Sequence, residues 1–326
     1  MKIERITTAS SLYDKLQSFV QKHRLLFNSE AWLGNYHNSG VEQCAILNNN
    51  NEVIGCFTYY RFKKAMFSFA ITAPYSPDID LFVVNPAESI VGRNTFNKEV
   101  SALLSDYFNS LGLHYINLNL PASVVDTQPF IWSGYTSRSR YSYIIDLHRT
   151  PDELWNSLAS EKRKSINKAV KDQLDIKESS DYRLLHGLIL KSLERNDVAQ
   201  NKAILEKILF SFATPQNSFA FVAWHNGVPL GAAFCVIDEH RKKAVYLFGG
   251  FDAENKHHGA GVSCMWQSIL KAKALGLDHF DFEGSMRADI ERYFREFGGE
   301  LTPYFCVEKI KPALRFLMRL KGHNPL

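Results

Sequence analysis

The chain has 326 residues, 45% hydrophobic, 13% aromatic and 22% charged, a composition that supports packed cores and excludes disordered, collagen-like and coiled-coil chains. At about 100 to 200 residues per domain, the length predicts two domains. Thirty-eight Lys and Arg against 34 Asp and Glu leave a net charge of +4, too dilute to argue for nucleic acid without a local basic patch.

In chain order, residues 44–57 read as strand, polar turn and strand, with Gly55 in the second strand. A strand at 66–73, an amphipathic helix at 96–110 and an alternating strand from Tyr115 to Asn119 follow. Residues 141–147 form a strand, and Thr150-Pro151-Asp152-Glu153 opens a helix that extends to Lys171, with the cap, the early Pro and the early acids that a helix start prefers. Helices at 181–195 and 202–212 lead to a second strand–turn–strand at 220–233 with Gly231 in the place of Gly55. A strand at 244–251, a helix at 262–274, a strand at 279–283, a strand at 303–307 and a helix at 313–320 complete the chain.

This order contains a repeat, which fixes the architecture before any motif does. Leu111-Gly112-Leu113-His114-Tyr115-Ile116-Asn117-Leu118-Asn119 matches Leu275-Gly276-Leu277-Asp278-His279-Phe280-Asp281-Phe282-Glu283, and each copy follows a helix. A helix leaving through Gly into an alternating strand is a βαβ sign. The fold expected is α/β with mixed sheets: two tandem copies, each a mixed central sheet flanked by helices. The first covers residues 1–149 and is structural or acceptor-binding. The second covers 150–326 and is donor-binding and catalytic, its last helix packing back on the first domain.

Cys44, Cys56, Cys235, Cys264 and Cys306 stand singly in apolar runs and read as reduced core residues of a cytosolic protein. The start of the chain has no apolar export segment, and no stretch has the roughly 18 apolar residues of a spanning helix. The phosphate loop of nucleotide hydrolases, a nucleophile elbow and metal-ligand spacing are all missing, so no metal is expected. Gly259-Ala260-Gly261 begins like a dinucleotide fingerprint, but its third glycine position is Cys264.

Lys256-His257-His258-Gly259-Ala260-Gly261 resembles the pyrophosphate loop of the GNAT acyltransferases, with Lys256 where that loop has Arg or Gln. Small residues there let backbone N–H groups face phosphate oxygens at a helix N-terminus. Lys256, Gly259, Ala260 and Gly261 are therefore the donor-binding candidates. By period 2, His279, Asp281 and Glu283 share one strand face. The bland alternative is a set of solvated strand-end acids. The chemical one is a partly desolvated carboxylate that takes a proton from an attacking ammonium.

Phe282-Glu283-Gly284-Ser285-Met286, then Ile290-Glu291-Arg292-Tyr293-Phe294 and Phe297-Gly298-Gly299, resemble the C-terminal signature of FemAB-like proteins. These are tandem-GNAT acyltransferases, some of which add amino acids from aminoacyl-tRNA to peptidoglycan precursors. Leu154-Trp155, Leu158 and the basic run from Glu161 to Lys171, five cations and one acid, are similar to that family's helix between its two domains. Arg163 and Lys168 are the positions that match it, and the resemblance implies that they contact an anionic donor, the phosphates of CoA or a tRNA acceptor stem, although such a run is most often a solvated helix face.

The resemblance implies transfer of an acyl or aminoacyl group to an amine, with acyl-CoA as donor or, alternatively, aminoacyl-tRNA. The long charged hairpin that several peptidoglycan aminoacyltransferases carry is missing. The acceptor implied is a small-molecule or cell-wall-precursor amine, and DNA is not expected as a partner. Glu283 is the expected base and Asp281 its support. Tyr246 or Tyr293 is the expected acid, and Gly249-Gly250 the bulged backbone that meets the oxyanion. Lys311, Arg315 and Arg319 on an otherwise apolar last helix suggest either docking on the protein itself or peripheral contact with the inner membrane face. The remaining alternative is a non-catalytic binding protein on a decayed transferase fold.

Overall fold

The computed structural model describes residues 1–36, 40–195, 201–252 and 257–320. Its elements are β1 (Lys2–Ile6), α1 (Tyr13–Lys22), α2 (Glu30–Leu33), β2 (Val41–Leu47), β3 (Val53–Lys64), β4 (Phe67–Ile71), β5 (Phe82–Val83), α3 (Ile90–Ser110), β6 (Tyr115–Asn119), α4 (Gln128–Trp132) and β7 (Thr136–Asp146). There follow α5 (Pro151–Ser157), α6 (Ser160–Lys171), β8 (Asp175–Glu178), α7 (Tyr182–Arg195), α8 (Lys202–Lys207), β9 (Ser218–His225), β10 (Val228–Asp238), β11 (Lys243–Phe251), α9 (Ala260–Ala274), β12 (His279–Asp281), α10 (Ala288–Arg295), β13 (Glu300–Ile310) and α11 (Pro312–Leu320).

The chain divides into two compact units, Met1–Arg140 with Pro303–Leu326, and Tyr141–Thr302. The sequence placed the boundary at 149/150 and everything after it in the second domain. Strand pairing explains the difference. Residues 306–310 of β13 pair with β6, from Cys306↔Asn119 to Ile310↔Tyr115, which draws the last strand into unit 1. Residues 144–146 of β7 pair with β12, Asp146↔His279 to Ile144↔Asp281, which draws them into unit 2.

Each unit is a mixed sheet with helices against it, and the two have one plan. Unit 1 runs β1-β2-β3-β4-β6-β13, antiparallel except for β4 with β6. Unit 2 runs β8-β9-β10-β11-β12-β7, antiparallel except for β11 with β12. The repeat extends to the register. Ile46↔Gly55 is followed by a one-residue slip to Leu47↔Val53, and Ala223↔Gly231 by the same slip to Trp224↔Pro229. The parallel pairs match too: Phe69↔Tyr115 and Ile71↔Asn117 in unit 1, Lys243↔His279 and Val245↔Asp281 in unit 2.

Each sheet buries its own core. Phe57, Tyr59, Phe108 and Phe130 lie in unit 1, and Phe280, Phe282 and Phe297 in unit 2; each buried side chain of this size contributes about 1.5–3 kcal/mol. All five cysteines are buried and free within these layers.

Two local expectations change. The helix expected to run from Thr150 to Lys171 is two helices, because Leu158 takes extended backbone (φ −63°, ψ 140°) and is buried. Thr150 and Glu153 do form a reciprocal capping box. The strand expected over 279–283 stops at Asp281.

Candidate functional site

The site candidates of unit 2 gather where β11 and β12 part. Their pairing ends at Val245↔Asp281, and β12 turns sharply there. Glu283 has φ 58° and Gly284 φ 68°, both in the left-handed region that L side chains rarely enter. Gly284 is required: a Cβ on it would lie 1.9 Å from the carbonyl oxygen of Tyr141. Glu283 therefore leaves the strand face it was expected to share with His279 and Asp281, because period 2 ends with the strand.

Asp281 is buried and fully engaged. Its Oδ2 meets Lys243 Nζ at 2.6 Å, in a pair whose side chains are 12% and 8% exposed. Its Oδ1 accepts from Ser142 Oγ at 2.5 Å and from the Glu283 backbone N–H at 2.9 Å. Burial alone would push this carboxyl up. The Lys243 charge and the hydrogen bonds from Lys243, Ser142 and Glu283 outweigh it and hold the group below its usual range. Asp281 is thus an anchored anion that fixes the Glu283 backbone. Glu283 itself is half-buried, with Oε1 inside.

An aromatic cluster lies beside this turn. Phe282 stacks on Phe294 (5.2 Å, 26°), Tyr246 meets Phe294 edge-on at 5.9 Å, and Tyr293 packs against both Phe294 and Phe297. Burial pushes the Tyr246 phenol well above its ordinary value, with Tyr293 and two cysteines adding to it, and burial likewise raises Tyr293. Both phenols are protonated at neutral pH and can donate. The Tyr246 hydroxyl occupies the space where Gly249 would carry a Cβ. The ladder irregularity on β11 is not at Gly249-Gly250: Phe234↔Phe248 is followed by Cys235↔Tyr246, so Leu247 is the extra residue. A bulge of this kind disrupts the ladder locally, and it lies at Leu247 rather than at the expected Gly249-Gly250.

The glycine loop is closed upon itself. The Gly259 N–H donates to His257 Nδ1 at 3.1 Å, and the Ala260 N–H to the His257 carbonyl at 3.1 Å. With Nδ1 accepting, Nε2 carries the proton and donates to Asp172 Oδ2 at 2.8 Å. Asp172 also takes Lys168 Nζ at 2.6 Å and is lowered to about 2 by Lys168 and then His257. A Cβ on Gly259 would lie 2.4 Å from the Ser165 carbonyl oxygen, so α6 sits directly on this helix start. The Tyr293 hydroxyl would be 3.8 Å from a Cβ on Gly261. Lys256 lies outside the described residues.

The basic helix is largely committed to structure. Arg163 donates to the carbonyls of Asn156 and Leu158 at 2.9 and 2.8 Å, capping α5. Lys162 is buried, 3.4 Å from Glu296, with its ammonium 3.7 Å from the Tyr293 ring centre and 4.9 Å from that of Phe297. Burial lowers it to about 8, against the opposing pull of Glu296. Sequence reading missed Lys243, Ser142, His257 and Asp172. Of these only His257 lies in a quoted motif, at one of its variable positions; strand pairing, not the sequence offset of the repeat, puts Lys243 in line with Phe69. Among the described residues no group of His, Cys, Asp or Glu can hold a metal, and no helix is long and apolar enough to cross a membrane.

Residues 159–295, within unit 2, match the acetyltransferase (GNAT) domain model. The chain is similar in fold to FemX, with a TM-score of 0.68 at 14% identity over 98% of this chain and 99% of that one. The C-terminal domain of a protein from Agrobacterium fabrum described as a lysylphosphatidylglycerol synthetase aligns with a TM-score of 0.55 at 10% identity, over 96% of each chain. A tandem GNAT protein of the clavulanic acid biosynthesis pathway aligns with a TM-score of 0.53 at 8% identity, over 94% of this chain and 98% of that one. No curated protein sequence matches the chain significantly.

Proposed function

The chain has the tandem GNAT fold of the FemAB-like acyltransferases, and on that premise we propose that unit 2 transfers an aminoacyl group from aminoacyl-tRNA to an amine of a cell-envelope precursor. One observation carries the choice of donor. The Gly259 and Ala260 N–H groups at the α9 start, two of those a CoA pyrophosphate would use, already bond to His257, and the Ser165 carbonyl and the Asp172 carboxylate stand beside them. An anion there meets two acceptors, and two of the donors it would use are already engaged.

In this reading the acceptor amine attacks the ester carbonyl carbon, an amide bond forms, and the carbon–oxygen bond to the tRNA ribose breaks. Glu283 takes the proton from the amine, while Tyr246 or Tyr293 supplies one to the leaving oxygen. The backbone freed at Leu247 meets the oxyanion, so orientation and electrostatics supply most of the rate. The match to the acetyltransferase model supports a second reading, acyl-CoA as donor. The amphipathic α11, with Phe316, Leu317 and Leu320 exposed and Arg315 and Arg319 among them, supports peripheral contact with an anionic bilayer.

The test sets the donors against each other. Charged tRNA is retained at low salt and released steeply as salt rises, and CoA leaves the melting temperature unchanged. A rise with CoA that Gly259→Glu abolishes transfers the proposal to acyl-CoA. Glu283→Gln lowers the transfer rate by about 10²–10⁴-fold; unchanged transfer refutes the base.

A further inference from the structure

We propose that Lys162 is a positioning residue of unit 2: its buried ammonium, held by Glu296 against the face of the Tyr293 ring, favours negative charge on that phenol and so makes Tyr293, rather than Tyr246, the group that gives a proton to the leaving oxygen. This role rests on the transfer reaction of unit 2 and names what sets the acidity of its proton donor.

Five cations lie in the basic run of α6, and Lys162 is the one the fold buries, with a side chain 7% exposed. Burying a charge is costly unless partners answer it. The contacts that hold α6 carry the ammonium to its place. Leu158 takes extended backbone between α5 and α6, the Ala159 N–H donates to the Glu296 carbonyl at 2.9 Å, and Arg163 ties α6 to the Asn156 and Leu158 carbonyls. On the other side of the contact Gly298 has φ 79°, and a Cβ on it would lie 2.5 Å from the Ser157 carbonyl oxygen. The start of α6 is therefore locked onto the end of α10. There the ammonium lies 3.7 Å from the ring centre of Tyr293 and 4.9 Å from that of Phe297.

Three charged groups meet at this contact. Glu296 Oε2 is 3.4 Å from Lys162 Nζ, and Glu296 Oε1 takes Arg292 Nε at 3.0 Å. Burial alone would push the Glu296 carboxyl up; Arg292 and Lys162 outweigh it and hold the group below its usual range. Two cations thus share one anion. Arg292 is 71% exposed and screened by solvent, whereas the ammonium lies against the rings, where its field is strong. A cation over an aromatic face is attracted by the ring itself, and more strongly by the charge that the ring acquires when its hydroxyl gives up a proton.

The rest of the surroundings favour the same tyrosine. The Tyr293 hydroxyl lies 3.8 Å from the place of a Cβ on Gly261, at the positive end of the α9 dipole. Around Tyr246, burial, Tyr293, Cys235 and Cys264 all push the phenol up. When the carbon–oxygen bond to the ribose breaks, its electron pair goes to the ribose oxygen, which takes the Tyr293 proton. The phenolate faces the ammonium until it is reprotonated, through water, by the proton that Glu283 took from the amine. A proton donor works best when the charge it acquires is stabilised in advance. Lys162 acts through the ring and not on the reactants themselves.

The experiment places difluorotyrosine, a more acidic phenol, at position 293 of the full chain and follows its absorbance with pH. The phenol ionises about one pH unit or more lower in Lys162→Arg, which stays charged, than in Lys162→Met, a tenfold change in its equilibrium. The same probe at position 246 shifts less. Transfer is then followed in single turnovers with total charged tRNA as donor and hydroxylamine as the amine. At about pH 7 Lys162→Met lowers the rate about tenfold or more. The gap closes above about pH 8, where the parent chain loses the same charge, and Lys162→Arg keeps its rate there. In a Tyr293→Phe background Lys162→Met costs nothing further. Equal phenol titrations in Lys162→Arg and Lys162→Met, a rate gap that does not change with pH, or an undiminished loss in the Tyr293→Phe background each overturns the proposal. Melting curves identify any loss that is only unfolding; if Lys162→Met does not fold, the parent chain above about pH 8 takes its place in the titration. The titration needs neither donor nor acceptor, so a failure of the transfer reading and a failure of this proposal are told apart.

Discussion

Lys243→Met is the sharpest perturbation of unit 2. It leaves the Asp281 carboxylate, 8% exposed, with Ser142 and the Glu283 N–H but without its cation at 2.6 Å. Removing one member of a buried ion pair costs about 3–5 kcal/mol, whereas replacing both by apolar side chains is often neutral. At about 2–4 °C per kcal/mol for a unit of this size, the melting transition of unit 2 falls by roughly 6–20 °C. Trp155, Trp224 and Trp266 lie in that unit, so fluorescence reports it alongside calorimetry, which resolves two transitions where two units melt separately. The double variant Lys243→Met/Asp281→Leu recovers most of the loss. The carboxyl is held below its usual range, so its contribution is complete above about pH 4 and is lost as pH falls through the folded value. The double variant lacks that acid slope. Additive single losses, each below about 1 kcal/mol, refute the reasoning.

Three further outcomes follow from single contacts. Gly284→Ala sets a Cβ against the Tyr141 carbonyl at a left-handed position and lowers stability by about 1–3 kcal/mol or more, which denaturant melts measure; a neutral effect refutes the tight turn. Lys162 is lowered to about 8, by burial first. Between about pH 8 and the ordinary lysine value near 10.4 the unfolded chain binds a proton that the folded one does not, so stability rises with pH. Lys162→Met flattens that rise; melting temperatures at pH 7.5 and about 9.5 compare the two, and identical slopes refute the assignment. Phe316→Ser with Leu320→Ser abolishes co-sedimentation with anionic vesicles; pelleting equal to the parent chain removes α11 from any bilayer contact.

The repeat made the fold legible because it is written in residues the backbone needs. Gly55 and Gly231 sit at the same place beside the same register slip, and the two helix–Gly–strand segments end in the same parallel pairing. The unit boundary was less legible, since β7 and β13 carry alternation that suits either sheet and only long-range pairing assigns them. The glycine loop was legible as a pattern but not as a site. Spacing predicts free N–H groups, and it cannot show that His257 takes those of Gly259 and Ala260 or that Asp172, 85 positions away, fixes the ring.

The difference between the two strand ends was the subtler signal. Asn117 and Asp281 hold one register position, and the residues opposite Tyr115 and His279 are Phe69 and Lys243. A lysine opening an apolar strand, matched by phenylalanine in the other copy, is costly to bury unless an acid answers it, and the acid that differs between the copies lies two residues along the neighbouring strand. The exchange of Phe and Asn for Lys and Asp is one change in two places. It gives the split in unit 2 an internal ion pair and leaves the matching positions in unit 1 uncharged.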